Sequence, residues 1–95
     1  MHIITYKRIN EFINKYPETK NSLVRWYKKM KKLNIKTFID LRKMYPQADQ
    51  VERLTVFNIG GNKIRLVTSI HYNRQKVYIR DILTHEEYNK NKWIK

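Results

Sequence analysis

Two arginines, a lysine, one or two imidazoles and a phenol fall where the alternation of the chain sets them toward one surface. From Lys63 to Tyr72, Ile64, Leu66, Thr68, Ile70 and Tyr72 take one face, while Lys63, Arg65, Val67, Ser69 and His71 take the other. Further on, Val77 and Ile79 suit a core, which turns Tyr78 and Arg80 to the open side along with Arg65. Thr84-His85-Glu86-Glu87 reads as a capping box, Thr84 as N-cap and Glu87 three residues on, and it brings His85 and Tyr88 near the end of the strand that carries Arg80. Such a set suits RNA cleavage without a metal ion. Attack of a ribose 2′-hydroxyl on the adjacent phosphate needs a base, an acid for the leaving 5′-oxygen, and cations for the charge that builds on the phosphoryl oxygens. Arginine meets the last need, because its planar fork matches phosphate and stays charged. Histidine serves as acid or base near neutrality; lysine and tyrosine need help from the local field. No residues with metal-ligand spacing accompany these groups, and no cofactor is expected.

Each of these residues also has a plainer reading. Arg65 and Arg80 fit solvated positions on the exposed face of a two-layer fold, His85 fits a helix start, and Tyr88 fits a lid over the sheet. His71 and His2 read as exposed strand residues before they read as catalysts.

The elements that must position these groups centre on Val56-Phe57-Asn58-Ile59-Gly60-Gly61-Asn62-Lys63-Ile64-Arg65-Leu66-Val67. The only two glycines of the chain stand together in it, marking a tight reversal between paired strands. Strands are expected over Glu52–Ile59, Lys63–Tyr72 and Lys76–Leu83, the second pair joined by Asn73-Arg74-Gln75. Gln47 to Gln50 reads as a polar loop. Upstream, Ile9, Phe12, Ile13 and Tyr16 form the stripe of an amphipathic helix that Pro17 stops. Leu23, Trp26, Tyr27 and Met30, extended by Leu33, form a second stripe opposite Arg25, Lys28, Lys29, Lys31 and Lys32, and the short link between the stripes suggests an antiparallel pair. A third helical piece opens at Thr37 and ends at Tyr45-Pro46. His2 to Thr5 is a strand only if it joins the sheet. After Tyr88 the chain is expected to fray, with Trp93 and Ile94 able to dock. Helices followed by strands mean α+β: an N-terminal strand and helical pair packed on one face of an antiparallel sheet, with the opposite face open and basic.

Composition bounds the rest. Ninety-five residues make one domain spanning 1–95. There is no cysteine, so no disulfide framework, thiol nucleophile or thiolate metal site. No stretch approaches the ~20 apolar residues of a membrane span, and no signal peptide is evident, so cytoplasm is the expected location. Lys plus Arg number 21 against 8 Asp plus Glu, a net charge of +13. From Arg53 to Arg80 there is no acidic residue, although Arg53, Lys63, Arg65, Arg74, Lys76 and Arg80 lie there. A merely solubilising surface intersperses both signs. The placement therefore favours a polyanionic partner, and Lys63, His71 and Lys76 join the candidate RNA-binding residues.

The chain also resembles the HigB toxins, within the wider RelE-like group of toxin–antitoxin ribonucleases. The likeness is carried by Met1-His2-Ile3-Ile4-Thr5, by the run from Val56 to Val67, by Val77-Tyr78-Ile79-Arg80 and by Thr84-His85-Glu86-Glu87-Tyr88. It extends through Trp26-Tyr27-Lys28 and Tyr45-Pro46-Gln47-Ala48-Asp49, nearly end to end. The resemblance implies a RelE-like fold and an mRNA interferase that cuts translated message in the ribosomal A site. It also implies a toxin that is monomeric alone and held in a hetero-oligomer by a helix-turn-helix antitoxin of the HigA type. On the same ground Arg65 and Arg80 match the strand arginines that bind and stabilise the phosphate. His85 and Tyr88 match the acid/base corner, and Asn62 and Lys63 add backbone and phosphate contacts. Two other readings stay open: a gyrase-directed toxin of the ParE type on the same scaffold, and a non-catalytic module that binds RNA or the ribosome.

Overall fold

The computed structural model describes residues 1–61 and 63–90. Five strands, β1 (His2–Ile4), β2 (Asp49–Val51), β3 (Leu54–Ile59), β4 (Ile64–His71) and β5 (Lys76–Thr84), form one sheet in the order β1-β5-β4-β3-β2. Among the described residues four α-helices accompany it: α1 (Tyr6–Lys15), α2 (Lys20–Lys32), α3 (Phe38–Met44) and α4 (His85–Asn89). The architecture is α+β and compatible with a RelE-like fold. The sheet is mixed rather than wholly antiparallel, because β1 runs parallel to β5 through His2↔Lys76, Ile3↔Val77 and Ile4↔Tyr78. That pairing is what lets a three-residue strand stand.

The expected loop at Gln47 to Gln50 is half strand. Asp49 to Val51 pairs antiparallel with β3, and the turn at Glu52-Arg53, with Glu52 at φ 57°, interrupts what the sequence reads as one strand from Glu52. Backbone pairing rather than apolar alternation makes β2, for Asp49 and Gln50 are both exposed. At the β3–β4 reversal Gly60 and Gly61 both sit at φ 64°, the left-handed region that glycine enters without a steric penalty.

The helical pair forms as its stripes demand. Pro17 opens a single 3-10 turn, Pro17–Thr19, between α1 and α2, and the Tyr6 and Tyr27 rings stand 4.3 Å apart, setting the start of α1 beside the second half of α2. α3 opens at Thr37, whose hydroxyl oxygen accepts the Asp40 amide at 3.2 Å. Ile9, Leu23, Trp26, Met30 and Leu41 bury against Phe57, Ile59, Ile64, Leu66, Val77, Ile79 and Ile82 of the sheet. Phe57 is the centre of this layer, with Trp26 and Tyr45 edge-to-face on it at 5.3 and 5.1 Å.

The opposite face is not polar throughout. Val56, Val67 and Leu83 form a second buried cluster, packed by Val51, Leu54 and Tyr88. A bulge in β5 produces this arrangement. Val67 pairs with Asp81 but Thr68 pairs with Ile79, which leaves Arg80 as the extra residue. Past the bulge the alternation inverts, so Ile82 enters the helix-side core and Leu83 the far side. No helix of the described residues is long and apolar enough to cross a membrane. The expected docking of Trp93 and Ile94 lies outside the described residues.

Candidate active site

Arg65 is the second residue of β4, the central strand of the sheet, half-buried, opposite Asn58 of β3 and Leu83 of β5. What reaches it comes from the turn after β5. Thr84 caps α4 with both bonds of a capping box: its amide donates to Glu87 Oε1 at 3.0 Å, and its hydroxyl oxygen accepts the Glu87 amide at 3.3 Å. The next amide, that of His85, donates to the Lys63 carbonyl at 3.1 Å, which pins the helix start to the beginning of β4. The imidazole is thereby held with Nδ1 3.3 Å from Arg65 Nη2. One turn on, the Tyr88 ring lies 5.3 Å from the Arg65 guanidinium carbon, a cation–π distance, while its body packs on the Val56–Val67–Leu83 cluster.

For a neutral ring, the Arg65 contact assigns the histidine tautomer. A guanidinium only donates, so Nδ1 accepts and Nε2 carries the proton of the neutral ring. Nε2 lies 3.1 Å from the Asn89 amide group. With Nε2 protonated, that amide meets it through its oxygen, the flipped orientation of a group whose O and N are nearly isosteric. A proton donor thus stands beside a cation that matches phosphate.

Glu87 has a role in holding this corner. Its carboxyl lies below the ordinary carboxylate range, chiefly through the bond from the Thr84 amide. A carboxylate whose folded pKa is depressed stabilises the fold above its unfolded value, and that contribution is lost as pH falls through the folded value. Wild type is expected to melt higher than Glu87→Ala at neutral pH, with the gap closing as pH drops below the carboxylate range. A gap that persists in acid contradicts this role for the cap.

Arg80 stands elsewhere. It is exposed, three residues from the Leu83 that faces Arg65, or about 10 Å along the strand. The two arginines share a face, yet the apolar patch of Val67 and Leu83 lies between them. Arg80 instead borders an open depression with Thr5, Arg8, Ser69, His71 and Tyr78. His71 and Tyr78 form an edge-to-face ring pair at 5.1 Å, and Lys76 pairs with His71 across the strands. Lys63 is exposed at the hairpin end, and Asn62 lies outside the described residues. Sequence reasoning missed Asn89 and Arg8. Asn89 was findable as the i+4 neighbour of His85 on a helix. Arg8, which donates from Nη1 to the Arg80 carbonyl at 3.0 Å, carried no such signal. Among the described residues no three His, Cys, Asp or Glu side chains are grouped to hold a metal ion. Burial raises the pKa of Tyr45 and of Tyr72.

Comparison with known proteins gives the family. The family model described as HigB_toxin, RelE-like toxic component of a toxin-antitoxin system, matches residues 19–91. The chain belongs to the HigB toxin family. It is 37% identical over 92 residues to the mRNA interferase toxin HigB of Escherichia coli (strain K12), covering 94% of this chain and 88% of the relative. The mRNA interferase HigB of Shigella flexneri matches to the same extent. A more distant mRNA interferase HigB, from Escherichia coli strain CFT073, is 28% identical over 95% of this chain and 90% of its own length. Arg65, Arg80, His85 and Tyr88 all fall inside the stretch that the family model matches, whereas Arg8 precedes it. As the toxic component of a toxin–antitoxin system, a HigB-family chain has an antitoxin as its counterpart.

Proposed function

We propose that this HigB-family toxin is an mRNA endoribonuclease that cuts translated message in the ribosomal A site and so halts translation. The observation that carries the reading is the Arg65 guanidinium held between the His85 imidazole and the Tyr88 ring at the start of a capped helix. Arg65 takes the scissile phosphate and stabilises the charge that develops on its oxygens. His85 and Tyr88 share the proton transfers. The 2′-hydroxyl gives up its proton as the 2′-O–P bond forms, and the 5′-oxygen gains one as the P–O5′ bond breaks. The products are a 2′,3′-cyclic phosphate and a 5′-hydroxyl. No metal ion is needed, because arginine supplies the cation. Arg80, Lys63, His71 and Lys76 bind the RNA along the same face, and Asn62 adds a further contact. The toxin acts as a monomer in the cytoplasm, and an antitoxin of the HigA helix-turn-helix type neutralises it in a hetero-oligomer. The names of the curated relatives support the substrate, and the net charge of +13 supports a polyanion.

Primer extension on a translated reporter message after brief induction tests this. New ends inside the reading frame, absent when the start codon is removed, are expected. Growth arrest with intact message sinks the nuclease reading and turns attention to gyrase, the target of ParE-type toxins.

A further inference from the structure

The bulge that carries Arg80 is built from a distance. Thr5, between β1 and α1, sits at φ 68°, a left-handed conformation that a β-branched residue rarely enters. Its hydroxyl accepts the Ile79 amide at 3.1 Å and stands 3.2 Å from the Ile79 carbonyl, so the one side chain meets both backbone groups of the residue before Arg80. Arg8, in the first turn of α1, donates to the Arg80 carbonyl itself. Together they fasten α1 to the bulge and bring a second guanidinium to the place where Arg80 emerges. That bond uses one of the five N–H donors of Arg8, leaving others for an anion.

Beside the two arginines stands the ring pair. The His71 and Tyr78 planes meet at 73°, and an edge-to-face contact covers at most one face of either ring. His71 is exposed and lines the depression, so its imidazole is within reach of a base. None of the described residues that line the depression is acidic. Cations for a phosphate next to an aromatic face for a base are what a single-stranded nucleic-acid site requires. Ser69, on the floor of the depression, lies four residues along β4 from Arg65, on the order of 13 Å. Val67, Leu83 and Asp81 between them carry no cation that binds phosphate, and the Asp81 carboxylate accepts the Ile82 amide.

We propose that the depression formed by Arg8, Ser69, His71, Tyr78 and Arg80 is a second RNA subsite. It holds the phosphate and base of a nucleotide further along the strand than the neighbour of the one bound at Arg65, with the phosphate on Arg8 and Arg80 and the base on His71. Thr5 is a positioning residue for this subsite, since it acts on the Arg80 backbone and not on the RNA. The inference rests on reading this face as the one that binds message.

Fluorescence anisotropy with 2′-O-methyl RNA, which lacks the attacking hydroxyl, tests it on the full chain. Wild type is expected to bind an octanucleotide more tightly than a dinucleotide, because only the longer strand spans both clusters. In Arg8→Gln and in His71→Ala that advantage shrinks about tenfold, and His71→Phe, which keeps an aromatic face, restores most of it. Arg8→Gln also lowers the salt slope of octanucleotide binding by about one. An octanucleotide bound no tighter than a dinucleotide by wild type, or an advantage unchanged in both variants, overturns the second subsite and leaves cleavage at Arg65 standing. Failure of wild type to bind either RNA overturns the reading of the face itself.

Discussion

Arg65→Ala is expected to lower message cleavage by about 10²–10³-fold, the loss typical when one preorganised donor to a developing oxyanion is removed. The side chain does three things at once. In the proposed reaction its N–H fork matches the phosphate, while in the structure its Nη2 lies against His85 Nδ1 and its guanidinium over the Tyr88 ring. Alanine removes all three. Lysine restores a charge but not the fork, so Arg65→Lys is expected to recover only a small part of the rate. The fold should tolerate both changes, because Arg65 is half-buried and its strand is held by eight paired positions on β5 and five on β3. Thermal melting within a few degrees of wild type, together with lost cleavage, is the predicted pair of results. Retained cleavage removes Arg65 from the chemistry.

Phe57→Ala acts on the fold itself. Phe57 is 1% exposed and takes Trp26 and Tyr45 edge-to-face from the helical layer. Truncating a phenylalanine so placed costs about 3–5 kcal/mol, the lost transfer term plus a cavity the neighbours only partly fill. Against the 5–15 kcal/mol that holds a domain together, that is a large share. The melting temperature is expected to fall on the order of 20 °C, read by circular dichroism against Phe57→Leu, which loses less. A drop no larger than that of a surface substitution places the centre of the core elsewhere.

Legibility in the sequence followed the range of the forces. The alternation of β4, the paired glycines of the β3–β4 turn and both bonds of the Thr84–Glu87 box follow from neighbours within a few residues, and all three were readable. β2 was not, because Asp49 and Gln50 are polar on both faces and are strand only by pairing with β3. The bulge at Arg80 was not either. No glycine or proline marks it, and the side chains that bond to it, Thr5 and Arg8, lie more than 70 residues away in the chain. That single extra residue changes the site most. Strand parity alone sets Arg65 and Arg80 toward one surface, while the register sets them apart with Val67 and Leu83 between. His85 was readable as the first residue of a capped helix; its contact with Arg65 depends on the Lys63 carbonyl that receives its amide. Asn62 stays a proposal on the sequence alone.

The chemistry of the cut ends tests the central claim most directly. Message fragments made during brief induction are isolated and their termini analysed. Attack by the 2′-hydroxyl at Arg65, with proton transfer by His85 and Tyr88, predicts a 2′,3′-cyclic phosphate upstream of each cut and a 5′-hydroxyl, open to labelling by a kinase without prior dephosphorylation, downstream. A 3′-hydroxyl facing a 5′-phosphate would mean that water, not the ribose, attacks the phosphorus, and would contradict the account.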